Sequence, residues 1–270
     1  MALCSLGKLF FNNQTSRRIL VMKLSKSHFL IAVYNCYISM SVMNTAIDRF
    51  RLDRQRPLRD QIYGLIRGLI LSGDIEPGEV IDEKQIAAKL AISRTPVREA
   101  VKKLSDEHLV DVVAQSGTRA SKIDRREVEQ AFLIRRALEM ETASQAAPRM
   151  NDAHTDALSD ILMLHARAIE QKKTVIAIQT DDAFHRYIAE ISDLPRLWRA
   201  IEISKAQLDR CRHIMLPRSG EGEATLEQHR QIIRSLNSKD AERARIAMAQ
   251  HLEKAYDNTV KAMNSGEIKV

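Results

Sequence analysis

The sequence predicts a mainly α-helical protein, with an N-terminal winged helix-turn-helix followed by an all-α helical bundle. Apolar residues recur at helical spacing through most of the chain after residue 57. One short pair of strands, joined by a turn that contains glycine, interrupts this pattern. Aromatic residues make up only 4% of the 270 residues while apolar residues reach 44%, and alanine and leucine are abundant, which favours helices.

Charge is divided unevenly along the chain and separates the two modules. The net charge is +7, of which residues 1–43 contribute +5, Asp48 contributes −1, residues 49–126 contribute +4 and residues 127–270 contribute −1. A basic front module joined to a neutral back module indicates a polyanionic partner for the front module alone. We place the front module at residues 51–122 and the back module at residues 123–265.

Residues 1–50 differ in composition from the rest of the chain. They contain no acidic residue before Asp48, and residues 29–43 form an apolar run of fifteen residues. A membrane-spanning helix needs about 20 predominantly apolar residues, and no small-residue cleavage pattern follows the run. We therefore expect an appendage outside the fold, with Met43 as a candidate true start and no membrane partner. The three scattered cysteines form no disulfide framework and suit a reducing cytoplasm.

The front module contains three predicted helices and a hairpin. A helix in "PLRDQIYGLIRGLILS" precedes two shorter helices, "EKQIAAKLA" capped by Asp82 and "RTPVREAVKKLSDE" capped by Ser93. The few residues that link the second and third helices match the spacing of a helix-turn-helix. The stretch "LVDVVAQSGTRAS" then predicts a β-hairpin wing that turns through Ser116 and Gly117.

The exposed side of the third helix is basic. Arg94, Thr95, Arg98 and Lys102 share that side. Such a helix can enter the major groove with its N-terminal residues at the base edges. Charge alone would be satisfied by a solvated basic face, but the tight turn and the wing together favour double-stranded DNA as the partner.

The stretch "LAISRTPVREAVKKLSDEHLV" resembles the signature of the GntR family of bacterial transcription regulators over about residues 57–121. The resemblance implies an operator contact by the third helix and an approach of the wing to the minor groove. The predicted DNA-binding residues are Lys84, Ser93, Arg94, Thr95, Arg98, Lys102 and Gly117. Two departures are His108, where the family usually has glycine, and Ser116, where a wing arginine is common. One helix in each of two half-sites predicts a homodimer on a near-palindromic operator.

The back module is predicted to contain only helices, about six. Their expected ranges are 127–148, 152–172, 176–192, 194–213, 223–237 and 240–263. In "DDAFHRYIAEIS", Asp181 and His185 share a face with the apolar Phe184 and Ile188, because residues three or four apart lie on one side of a helix. Asp182, one residue on, points away from that face and is expected to be dispensable.

Two further histidines lie on apolar helix faces, His229 in "EQHRQII" and His251 in "MAQHL". A single inward histidine is usually a hydrogen-bonded core residue. Three of them with one carboxylate suit Zn²⁺ and similar divalent ions. His165 also lies on an apolar face, so inward placement alone does not select the ligands.

The pattern D-x-x-x-H at 181–185, with those two later strings, resembles the ligand-binding C-terminal domain of the FadR subfamily, in a VanR-like variant if the helices number six. Many members hold a divalent metal at these four positions. The resemblance implies a metal site formed by Asp181, His185, His229 and His251. Zn²⁺ is the first choice of ion, with Mn²⁺ and Ni²⁺ as alternatives.

The string "RRALE" begins with Arg135, which lies on the inward face of the first helix of the back module. The resemblance implies that this arginine lines an effector pocket, where a metal and a guanidinium would bind a small carboxylate. Pairing of Arg135 with an acid elsewhere in the bundle is the alternative. Arg210 and Arg212 are weaker candidates for the same pocket.

Three functions are compatible with these residues. The first is a transcription regulator, not an enzyme, that responds to a carboxylate through its metal. The second is a metal-dependent hydrolase with a helical catalytic domain fused to a DNA-binding module. Against it, the sequence has no H-E-x-x-H, no G-x-S-x-G and no phosphate-binding glycine-rich loop. The third is an architectural DNA-binding protein whose histidines are only structural.

Overall fold

The computed structural model describes residues 43–113, 117–216, 222–268 and 270. The DNA-binding module has the order α1 (43–49), α2 (Leu58–Ser72), α3 (Glu83–Lys89), α4 (Arg94–Asp106), β1 (Val110–Val113) and β2 (Gly117–Ala120). The bundle consists of α5 (Arg125–Ala146), α6 (Asp152–Glu170), α7 (Thr174–Ile191), α8 (Pro195–Ser204), α9 (Ala206–Met215), α10 (Gly222–Asn237) and α11 (Ala241–Asn264). The predicted fold class is confirmed. In the described part of the chain, no helix has the length and apolar character needed to cross a bilayer.

Helices α2, α3 and α4 pack around a shared apolar core that includes Ile62, Ile86 and Val97. Asp82 caps α3 as predicted, because its side chain accepts hydrogen bonds from two backbone N–H groups of the first turn. Ser93 occupies the N-cap position of α4 with extended backbone angles, but its side chain makes no capping hydrogen bond. The predicted N-cap position of Ser93 is therefore confirmed, whereas the predicted capping hydrogen bond is not formed.

The wing is an antiparallel pair of strands in which Val110 pairs with Ala120 and Val113 with Gly117. Gly117 has a φ of +86°, a conformation that glycine adopts without steric cost. Thr118 Oγ1 donates a hydrogen bond to Glu83 Oε1 over 2.7 Å, which fastens the wing to α3. The turn itself, with Ser116, lies outside the described residues.

Helix α1 belongs to the core of the DNA-binding module. Met43 and Ile47 are only 1% and 2% exposed and pack in the same cluster as α2 and α3. Lys89 Nζ donates a hydrogen bond to Asp48 Oδ1 over 2.7 Å. The boundary predicted at residue 50 is therefore wrong, since the module includes residues 43–49. The rest of the predicted appendage, residues 1–42, lies outside the described residues.

Seven helices form the described part of the bundle, one more than the sequence predicted. The range 194–213 is divided into α8 and α9 at Lys205, whose side chain is 2% exposed and pairs with Asp182 and Asp209. The sequence does not predict this break because no glycine or proline, the usual helix-breaking residues, lies at or next to Lys205. The helix count therefore no longer favours the shorter, VanR-like variant.

Candidate metal centre

Three helices bring the four predicted metal ligands together inside the bundle. Asp181 and His185 lie on α7, His229 on α10 and His251 on α11, and their potential ligand atoms all lie within 4.8 Å of one another. His185 Nε2 is 3.3 Å from His251 Nε2 and 3.8 Å from Asp181 Oδ2. His229 Nε2 is 3.5 Å from Asp181 Oδ1. The predicted set thus converges on one point, and all four side chains are buried.

Two further side chains orient the histidines. Glu139 Oε2 on α5 lies 2.5 Å from His185 Nδ1, and Gln228 Oε1 lies 2.8 Å from His251 Nδ1. Each contact suits a proton on Nδ1 and leaves Nε2 facing the cluster as a lone-pair donor. Metal-binding histidines are usually fixed in this way, through the ring nitrogen that does not bind the ion.

A divalent cation fits the donor atoms of this cluster. His229 is fully buried, and neither of its ring nitrogens makes a hydrogen bond. Buried polar groups normally have a hydrogen-bonding partner or a bound ion, and a metal ion would supply the partner that this ring lacks. Two nitrogens and a carboxylate from its neighbours complete a ligand set of the type that zinc prefers.

Protonation at neutral pH also suits a cation. Burial lowers the pKa of His229 well below its usual value and lowers the pKa of His251 to about 3, so both rings are neutral. Burial alone would raise the pKa of Asp181, but the Arg212 guanidinium and the neighbouring histidines together hold that pKa well below the usual range. A charged carboxylate and neutral imidazoles are the forms that bind metals.

Arg212 joins the cluster to a buried ion-pair network. Its Nη2 donates to Asp181 Oδ2 over 2.5 Å, and its Nη1 donates to Asp182 Oδ1 over 3.1 Å. Asp182 also accepts a hydrogen bond from Lys205 Nζ over 2.8 Å. Asp182 is outside the group of potential ligands, as expected. Its dispensability stays a prediction, and these ion pairs favour a loss of stability when it is replaced.

Arg135 lies beside the cluster, on the wall of a cavity of about 170 Å³. Its Nε donates to Glu139 Oε1, while its Nη2 is buried without a hydrogen-bond partner. The cavity wall also includes Asp181, His251 and Arg212. The two readings of Arg135 are therefore compatible, because the side chain pairs with an acid and still lines the cavity.

The two weaker arginine candidates separate in the structure. Arg212 lines the cavity, whereas Arg210 Nη1 lies 3.3 Å from Ser121 Oγ at the end of the wing. Burial lowers the pKa of Arg210 to about 10. His165 lines the same cavity with its ring centroid 5.4 Å from that of His229, but it is not in the ligand group.

Glu139 and Gln228 are the site residues that sequence reasoning missed. Gln228 directly precedes His229 in "EQHRQII", and Glu139 ends the string "RRALE". Glu139 lies four residues after Arg135, which is the spacing of an ordinary surface ion pair on a helix. Only the packing of α5 against α7 distinguishes this buried pair from a surface pair.

The predicted DNA-binding residues form an exposed surface on the front module. All of the following are exposed: Lys84, Ser93, Arg94, Thr95, Arg98, Lys102 and Gly117. Arg98 Nε lies 3.6 Å from Glu83 Oε2 but its side chain keeps 64% exposure, so it remains free to bind another anion.

Comparisons with known proteins agree on the family. The model of the bacterial regulatory proteins, gntR family, matches residues 58–119, and the model of the FCD domain matches residues 130–254. The HTH-type transcriptional repressor RspR of Escherichia coli (strain K12) is 32% identical over 208 residues, which cover 77% of this chain and 91% of RspR. A regulator from the unstable DNA locus of Streptomyces ambofaciens is 30% identical over 203 residues, covering 75% of this chain and 85% of the relative.

A solved structure supports the same fold. McbR/YncC of Escherichia coli superposes with a TM-score of 0.67 at 22% identity, covering 77% of this chain and 99% of that protein. The relatives named above are transcription regulators, which confirms the predicted resemblance and removes the hydrolase alternative. The chain therefore belongs to the GntR family of bacterial regulatory proteins and is a DNA-binding transcription regulator with an FCD C-terminal domain, not an enzyme.

Proposed function

We propose that this regulator binds a divalent metal ion and a small carboxylate effector in its C-terminal domain, and that the effector changes its affinity for the operator. The observation that carries the proposal is the convergence of one carboxylate and three imidazoles within 4.8 Å. Two of these groups, Asp181 and His251, lie on the wall of the cavity that Arg135 also lines.

Asp181, His185, His229 and His251 would hold the ion. An ion on three nitrogens and one oxygen supplies a Lewis-acidic point that can accept an oxygen from a ligand, since such sites keep a position open. Zn²⁺ suits this set best, and Mn²⁺ and Ni²⁺ are the alternatives. Glu139 and Gln228 keep the two contacting imidazoles in the tautomer that the ion requires.

The effector would be a small carboxylate because the cavity offers positive charge in a largely apolar wall. Arg135 Nη2 is buried and unpaired there, and Phe132 and Leu208 contribute apolar surface. A carboxylate can satisfy a guanidinium through two parallel hydrogen bonds. The cavity has a volume of about 170 Å³, which suits a small ligand.

The DNA-binding module would present α4 to the major groove, with Arg94 and Arg98 at the base edges and Gly117 in the wing near the backbone. Two protomers would bind the half-sites of a near-palindrome. Alanine in place of Arg94 or Arg98 should cost roughly 1–3 kcal/mol in specific binding if each reads a base. An equal loss on operator and random DNA would instead assign these arginines to phosphates.

Metal content and thermal stability test the core of the proposal. Protein purified without chelators is offered Zn²⁺, Mn²⁺ or Ni²⁺, and the bound metal is measured by elemental analysis. A panel of small carboxylates is then screened by thermal shift with metal-loaded and chelated protein. We expect one metal per chain and a carboxylate shift that requires the metal.

His185→Ala and His251→Ala should lose the metal and the carboxylate shift, because each removes one ligand. The matched control is His165→Ala, which removes a buried histidine of the same cavity from outside the ligand group. It should keep the metal although its melting temperature falls. A wild-type protein that stays free of all three metals would reduce the cluster to a buried polar network, and the effector pocket would need another explanation.

A further inference from the structure

Helix α9 contacts both the metal centre and the DNA-binding module. Near its C-terminal end, Arg212 donates a hydrogen bond to Asp181 Oδ2 over 2.5 Å. Near its N-terminal end, Gln207 Nε2 donates a hydrogen bond over 2.8 Å to the carbonyl oxygen of His108, directly after α4. One short helix of ten residues thus connects a predicted metal ligand with the segment that follows the recognition helix.

A shared carboxylate lies between these two ends of α9. Asp209 is buried, and its Oδ1 lies 3.5 Å from Arg212 Nη1. Its Oδ2 lies 2.7 Å from Lys205 Nζ and 3.9 Å from Nη2 of Arg67, which belongs to α2 of the DNA-binding module. Three cations therefore compete for one carboxylate in an environment of low dielectric constant, where such interactions are strong.

Arg67 carries the contact on to the recognition helix. Its Nε lies 3.3 Å from Oε2 of Glu107, the C-cap residue of α4. Tyr63 Oη donates a second hydrogen bond to Glu107, over 2.6 Å. Glu107 is 7% exposed, so these two partners replace most of the water that would otherwise solvate its carboxylate. The C-terminal end of α4, the helix that begins at Arg94, is therefore held by an ion pair whose arginine, Arg67, also attracts Asp209.

We propose that the chain Arg212–Asp209–Arg67–Glu107 transmits the state of the metal centre to the recognition helix. The inference rests on the proposed metal binding. A cation bound by Asp181 weakens the attraction between that carboxylate and Arg212, because the ion and the guanidinium carry like charges and compete for the same group. Arg212 keeps two other carboxylate partners, Asp182 and Asp209, so it moves its charge toward them.

The shift of Arg212 from Asp181 toward Asp209 changes the ion pairs of Arg67. A carboxylate that pairs more closely with Arg212 attracts Arg67 less, and Arg67 then pairs more fully with Glu107 at the end of α4. Two alternative pairings of Arg212 provide the two states that coupling between sites requires. Coupling of this kind is reciprocal, so DNA binding at α4 changes the affinity of the centre for its ion by the same factor.

Hydrogen exchange on the full chain tests the proposal, with Zn²⁺ alone as the probe. The protein is compared after EDTA treatment and at saturating Zn²⁺. We expect zinc to change the exchange rates of amides in residues 103–109 by about five-fold or more, the lower end of typical coupling energies. Changes in α7, α10 and α11 should accompany them because the ligands lie there.

Asp209→Asn and Arg67→Lys each interrupt the chain at a different residue, and neither removes a metal ligand. The first removes the shared charge, and the second replaces the two-sided guanidinium by a point charge that cannot face both carboxylates. Both should bind one zinc per chain at saturation and lose the zinc effect on residues 103–109. The matched control is Arg136→Lys, which alters a half-exposed pair with Glu253 and should keep the effect.

Three results would overturn the inference. Zinc could bind while every change stays within α7, α10 and α11. The effect on residues 103–109 could persist in the folded Asp209→Asn or Arg67→Lys protein, and a failure of one variant to fold leaves the other to decide. A wild-type protein that binds no zinc would overturn the proposed function as well, which distinguishes that failure from the first two.

Discussion

Replacement of Glu139 by glutamine should weaken metal binding although Glu139 is not a ligand. Its two carboxylate oxygens contact His185 Nδ1 and Arg135 Nε, and the side chain is 1% exposed. Burial would raise the pKa of Glu139, but Arg135 and His185 together lower it to about 2, so the group is charged at neutral pH. Glutamine keeps the shape and removes the charge that holds both partners.

The expected loss is about 10- to 100-fold in metal affinity, as for other residues that orient a ligand histidine. This corresponds to roughly 1.4–2.8 kcal/mol. The free energy of unfolding without metal should also fall, because Arg135 is left as a buried charge without its acid.

Competition with a chromophoric zinc chelator measures the affinity, and urea denaturation measures the stability. Glu141→Gln is the matched control, since Glu141 lies one half-turn further along α5 and pairs with Arg245 where both side chains are about 40% exposed. The reasoning would be refuted by an unchanged zinc affinity in the Glu139 variant, or by an equal loss in the control.

Three other predictions concern the fold. His108 has a φ of +55°, a left-handed conformation that strains any residue other than glycine. His108→Gly should therefore raise the free energy of unfolding by roughly 0.5–1 kcal/mol, which is the relieved strain minus the larger conformational entropy that glycine loses on folding. A less stable variant would contradict this. A chain that starts at residue 51 should have a much lower melting temperature than one that starts at residue 43. The reason is that burial of Met43 and Ile47 contributes roughly 1.5–3 kcal/mol each to the free energy of unfolding. Equal melting temperatures would place α1 outside the core. In metal-free protein, His229 and His251 have lowered pKa values, so the unfolded chain takes up protons first and stability falls as the pH drops below the unfolded pKa of about 6.5. The slope in urea titrations should approach about 1.4 kcal/mol per pH unit for each ring, and His251→Gln should reduce it by one such step.

The periodicity of apolar residues was sufficient to find most of the helices. Each helix buries one apolar face against its neighbours, and the residues of that face recur in the sequence at helical spacing. The break at Lys205 escaped this reasoning, because a lysine on a helical pattern indicates a surface residue. Its ammonium is instead buried against Asp209, four residues on, and against Asp182, which lies 23 residues earlier on another helix.

The candidate site could be predicted in part for a similar reason. An inward histidine or aspartate is visible because it interrupts an apolar face, as Asp181 and His229 do. Which inward histidines meet depends on how the helices cross, and His165 shows that the face alone is insufficient. The resemblance to a known domain supplied that selection, whereas Glu139 remained hidden as an apparent surface partner of Arg135.

The cost of the centre argues for a role beyond folding. Glu139, Asp181 and Asp209 are buried at 6% exposure or less, together with the cations Arg135 and Lys205. Buried ion pairs often contribute less to stability than apolar side chains of the same volume, because desolvation offsets the attraction. A bundle selected only for stability would fill this space with leucine and valine. The charges instead keep alternative partners within reach of one another, and a cation or an anion added at the centre has to redistribute them. That property is of no use to a static core, and it is what a sensor of a charged ligand requires.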